Sequence, residues 1–153
     1  MISSIMEKYV TQIKIILSIF GDIFNPQKFS EFIDITPTDL WNKGDEIPPR
    51  KGLERKDGTK HVKKESVWEY STDFIQTLYF EEVSKIILEK FDEQRVTRIR
   101  NYIEKEKGEI KLDVVVEIVD NQSPSLSLSK DLITFLNSTG AEIDFDIYVL
   151  ENE

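Results

Sequence analysis

The sequence predicts an α+β chain built on a mostly antiparallel sheet with helices on one face. Three observations lead there. Helical and strand patterns interleave along 153 residues, but strands are few. Several strands alternate apolar with polar residues, as a sheet does when one side is packed and the other meets water. Turn and capping signals separate the segments at short intervals.

The first strand is expected at Val10–Ile19. Thr11, Ile13, Ile15, Leu17 and Ile19 point one way, and Val10, Gln12, Lys14, Ile16 and Ser18 the other. The apolar run Ile13–Phe20 is too short to span a bilayer, is broken by Lys14 and Ser18, and follows Glu7 rather than a basic segment. It is therefore a buried strand rather than a signal peptide, and the protein is expected in the cytoplasm. Gly21-Asp22 ends it. Asn25-Pro26 opens a helix, because Asn accepts from orphan backbone donors and Pro at the first helical position loses no useful one. Phe29, Phe32 and Ile33 form its apolar face. Pro37 is expected to end the segment.

Trp41–Asp45 starts an edge strand. The stretch 46–64 differs in kind: it holds Pro48, Pro49, Gly52 and Gly58 and little to bury. From Ile47 to Lys64 seven Lys or Arg stand against Glu54 and Asp57, a net of +5, which leaves −14 on the rest of a chain whose total is −9. Ordering costs about 1–2 kcal/mol per residue, and few apolar groups are present to offset it. A mobile basic hairpin or loop is predicted. Ser66–Thr72 is a strand with Trp68 and Tyr70 on one face. Tyr79–Phe91 is a helix through Phe80, Val83, Ile87 and Phe91. Asp92 caps another through Val96, Ile99 and Ile103, closed by Gly108.

Ile110–Val119 is the clearest strand. Its even positions are all apolar, and Lys111, Asp113 and Glu117 lie on the other face. After the turn at Asn121–Pro124, Ser129 caps a helix with Leu132, Ile133 and Leu136 inward, and Gly140 ends it. Ala141–Leu150 is the last strand, with Asp144, Asp146 and Tyr148 opposite Ile143, Phe145, Ile147 and Val149. The order β-α-β-β-α-α-β-α-β contains a ferredoxin-like βαββαβ core with an added α-β unit, all within a single domain.

Four stretches carry a family resemblance: the first strand into Gly21-Asp22 and the Asn25-Pro26 helix; Pro37-Thr38-Asp39-Leu40-Trp41-Asn42-Lys43-Gly44-Asp45; Val67-Trp68-Glu69-Tyr70-Ser71-Thr72; and Leu128-Ser129 through Gly140 into Asp144-Phe145-Asp146-Ile147-Tyr148. In this ordered set the chain resembles the bacterial proteins known as domain of unknown function 4279, although 46–64 is longer and more basic than that family suggests. The resemblance implies an α+β domain and brings no activity with it.

The chemistry-bearing residues point away from catalysis. The chain has no Cys and one His. His61 sits among lysines, whose charge opposes metal binding. No phosphate-binding glycine loop, nucleophile elbow or twelve-residue calcium loop is present. No catalytic residue, cofactor or metal site is assigned. The acidic balance disfavours nucleic acid and anionic membranes as partners. Glu109–Glu153 carries ten acidic and two basic residues, so Asp113, Glu117, Asp144 and Asp146 are expected to form one unneutralised patch if their strands are neighbours. The leading expectation is a non-enzymatic protein-binding module for a basic partner, in its sharpest form an immunity-type antitoxin. A second is a small-ligand sensor with a pocket between sheet and helices near Trp41, Trp68 and Tyr70. A third is an enzyme using Asp144 and Asp146 as paired carboxylates.

Overall fold

A computed structural model describes residues 10–50, 52 and 57–151. The chain runs β1 (Gln12–Gly21), α1 (Pro26–Ile33), β2 (Asp39–Trp41), β3 (Glu46–Ile47), β4 (His61–Val62) and β5 (Ser66–Ser71). It continues through β6 (Ile75–Gln76), α2 (Phe80–Lys90), α3 (Glu93–Glu106), β7 (Glu109–Val119), α4 (Lys130–Thr139) and β8 (Glu142–Leu150). The main sheet has the order β2-β5-β1-β7-β8, with β6 also pairing to β1. β1 is central because its alternate residues Ile13, Ile15, Leu17 and Ile19 are all fully buried, a set only a covered strand can satisfy.

The pairs β2·β5, β5·β1 and β1·β7 are antiparallel, and β7·β8 is parallel. A parallel neighbour requires a crossover, and α4 provides it. The result is a mixed α+β architecture with a mostly antiparallel sheet. One cluster unites Ile13, Ile15, Leu17 and Ile19 of β1 and Leu112, Val114 and Val116 of β7 with residues from every helix. The face opposite that cluster stays open.

Three caps act as their sequence predicts. The side chains of Asn25, Asp92 and Ser129 accept from the backbone N–H groups of Lys28, Arg95 and Leu132. Two helix ends differ. α1 stops at Ile33 because Asp34 adopts the left-handed conformation (φ 54°), three residues before Pro37, and Lys107 (φ 54°) rather than Gly108 caps α3. The stripes differ too. Phe32 and Ile133, expected inward, are 45 % and 53 % exposed. In α4 the buried partner of Leu132 is Phe135, so the core reads an i, i+3 pair.

The edge strand expected at Trp41–Asp45 ends where it was to begin. Asn42–Asp45 is instead a turn closed by the Asp45 N–H to the Asn42 carbonyl, with Gly44 at φ 92°. β3 and β4 then pair antiparallel and form the base of the basic segment. The mobile loop expected at 46–64 has its tip, residues 51 and 53–56, outside the described residues. No described helix is long and apolar enough to cross a membrane.

Candidate partner-binding face

The strand register assembles the open face row by row. Ser18 of β1, Lys111 of β7 and Glu142 of β8 are cross-strand neighbours, as are Ile16, Asp113 and Asp144. Lys14, Val115 and Asp146 make a third row, and Gln12, Glu117 and Tyr148 a fourth. On the far side of β1, Ser18 faces Glu69, which faces Asp39. Neighbouring strands lie about 4.8 Å apart, so these side chains share one continuous surface. With Glu109 opposite Phe20 and Lys63 lying over Trp41, it carries eight carboxylates and three lysines, a net of −5.

All four predicted carboxylates lie on this surface, and Lys111 partly neutralises two of them. Lys111 Nζ lies 2.8 Å from Asp144 and 3.2 Å from Asp113, so it bridges the two aspartates that the register sets side by side. Its bonds to Asp144 and then Asp113 hold its ammonium well above the usual lysine range. Glu117 accepts a 2.7 Å hydrogen bond from Gln12 Nε2. Lys14 Nζ lies 4.6 Å from the centre of the Phe74 ring, a cation–π contact. Sequence reasoning missed Lys111 as a counterion although the signal was present: it sits two residues before Asp113 and shares its face. Asp39, Glu69 and Glu142 joined the patch only through strand order, which local pattern does not contain.

Glu69 is the strained member. Burial chiefly, then the charges of Asp39 and Asp113, push its carboxyl above the usual value of 4.5, while Lys63 and Lys14 pull the other way. The folded state therefore holds this proton more tightly than the unfolded chain does. The penalty is absent below the unfolded carboxyl's pKa and is felt as pH rises through the folded value. Glu69→Gln is expected to raise the melting temperature at pH 7, and the gain should close on acidification through about pH 4.5. Thermal unfolding across that range checks it, and an equal or lower melting temperature at pH 7 would contradict the burial argument.

The aromatic trio does not converge. Trp68 is fully buried, edge-on to Phe29 at 5.1 Å and Phe91 at 6.3 Å between ring centroids. Tyr70 shares its side of β5 and meets Phe91 at 5.4 Å. Trp41 pairs with Val67 rather than Trp68, which turns it to the open face, where Lys63 Nζ lies 3.9 Å from its ring centre. A cleft of about 400 Å³ opens elsewhere, near the ends of α3 and α4, lined among others by Arg100, Glu104, Lys111, Asn137 and Glu142. His61 is exposed, and no group of three or more His, Cys, Asp or Glu among the described residues is placed to hold a metal ion.

Residues 11–150 match the family model described as a domain of unknown function, DUF4279. No curated protein and no solved structure matches the chain.

Proposed function

We propose that this chain, which belongs to the DUF4279 family of domains of unknown function, is a non-enzymatic protein-binding module whose acidic sheet face receives a basic partner. The open face with its net charge of −5 carries the reading. That surface spans the five strands β2-β5-β1-β7-β8 of the main sheet. Its charge would speed the encounter with a cationic protein and set its orientation. A ferredoxin-like βαββαβ core is supported by the order β2-β5-β1-β7, in which every neighbouring pair is antiparallel; α4 and β8 are then the appended unit. A nucleic-acid-handling toxin must carry a basic groove that such a face could occupy. Small size and acidity are what favour an immunity-type role in the cytoplasm.

Capture of the partner from the host, followed by binding at two ionic strengths, tests the reading. The partner is expected to be basic, and association should slow steeply between about 0.01 M and 0.15 M salt, where the screening length falls from about 30 Å to 8 Å. An acidic partner, or a rate indifferent to salt, would sink the proposal. The alternative of a small-ligand sensor has one observation in its favour, the cleft of about 400 Å³ beside Arg100 and Lys111, which lies within the usual size range of ligand sites. A metabolite that raises the melting temperature through that cleft would move the assignment there.

A further inference from the structure

The main sheet ends in two unlike edges. β2 spans three residues, and Lys63 covers its Trp41. Short strands and edge lysines are the usual protection against stray strand pairing. β8 has neither. It runs nine residues, Glu142–Leu150, pairs with β7 on one side only, and contains no Lys, Arg, Pro or Gly. Its far half is apolar and open on both faces, with Ile147 51 %, Tyr148 55 % and Val149 65 % exposed. Long, without lysine or proline, and apolar in its far half, it resembles an edge kept available for pairing.

The two faces of β8 define what would fit. A strand added to this edge places alternate side chains on opposite faces. On one face they would lie beside Glu142, Asp144 and Asp146, and on the other beside Phe145, Ile147 and Val149. A second copy of the chain is a poor occupant, because its own β8 would bring three more carboxylates to a face already at −5, and like charges on neighbouring strands destabilise pairing. From this charge pattern we infer that the free edge of β8 binds an extended segment of a partner protein in which Lys or Arg alternates with aliphatic residues. Main-chain hydrogen bonds would supply affinity, and the alternating side chains selectivity. This inference deepens the acidic-face reading and rests on it.

The test uses the whole protein and synthetic peptides. The probe is an alternating Lys-Val octapeptide with Gly-Ser ends. Its controls are forms of the same peptide N-methylated at consecutive amides, which blocks both edges, and an alternating Glu-Val version. The Lys-Val peptide is expected to bind at least about tenfold tighter than the N-methylated forms and to slow amide hydrogen exchange in β8. Equal binding of the N-methylated peptides, or unchanged exchange in β8, overturns strand addition; a loss of binding in Asp144→Asn/Asp146→Asn would then still mark the acidic face as the contact. Equal binding of the Glu-Val peptide overturns the cationic requirement together with the acidic-face reading. A concentration-dependent dimer whose β8 amides are protected without peptide overturns the proposal in favour of a second copy.

Discussion

Trp68→Ala is expected to remove about 3–5 kcal/mol of stability, a large share of the roughly 5–15 kcal/mol that holds a domain of this kind together. The side chain is fully enclosed. It sits opposite Ile19 of the central strand, and its ring joins Phe29 of α1 to Phe91 at the end of α2. Truncation would empty a space bounded by sheet and two helices, which no single neighbour can collapse into. Trp68→Phe should cost much less. It keeps an aromatic ring among the others and discards the indole N–H, which is buried without a hydrogen-bond acceptor and so carries an uncompensated desolvation cost of about 1–3 kcal/mol. Phe145→Ala should also cost less than Trp68→Ala, because Phe145 is only half-buried on the edge strand although it meets Phe80. Urea unfolding of the three variants checks the order; a Trp68→Ala loss below about 1 kcal/mol would contradict the packing argument.

What the sequence revealed and what it hid divide along the range of the interactions. Asn25, Asp92 and Ser129 were legible as caps because each contact closes within three residues. The alternation of β7 was legible because burial acts on every second side chain. Phe32 and Ile133 misled for the converse reason. An apolar residue at helical spacing faces the core only if the neighbouring element reaches that far, and here Phe32 remains near the surface beside Tyr102 at 5.7 Å. The face of Trp41 depended on one register, Trp41 opposite Val67. A slip of a single residue would have turned it toward Trp68. The acidic patch was half legible: composition and alternation located Asp113, Glu117, Asp144 and Asp146, while strand order alone added Asp39, Glu69 and Glu142. The parallel direction of β8, and hence its free edge, depends on the α4 crossover.

Replacing Asp113, Glu117, Asp144 and Asp146 by Asn, Gln, Asn and Asn should slow association with a cationic partner by about tenfold or more at low salt. The substitutions take the open face from −5 to −1, leaving Asp39, Glu69, Glu109 and Glu142 against Lys14, Lys63 and Lys111. The difference should shrink as salt rises toward about 1 M, where the screening length is only about 3 Å. Lys111→Met provides the opposite perturbation within the same cluster. It removes the ammonium that lies 2.8 Å from Asp144 and 3.2 Å from Asp113, taking the face to −6, so association should become faster. The fold should pay about 0.2–1 kcal/mol for leaving two like charges on neighbouring strands. The opposed signs distinguish charge from damage. A surface disturbed by substitution would bind more slowly in both variants, whereas a surface that works through its field binds more slowly in one and faster in the other. Stopped-flow association at low and high salt, with melting temperatures measured alongside, reads both effects; slowing of similar size in both variants would remove charge as the basis of recognition.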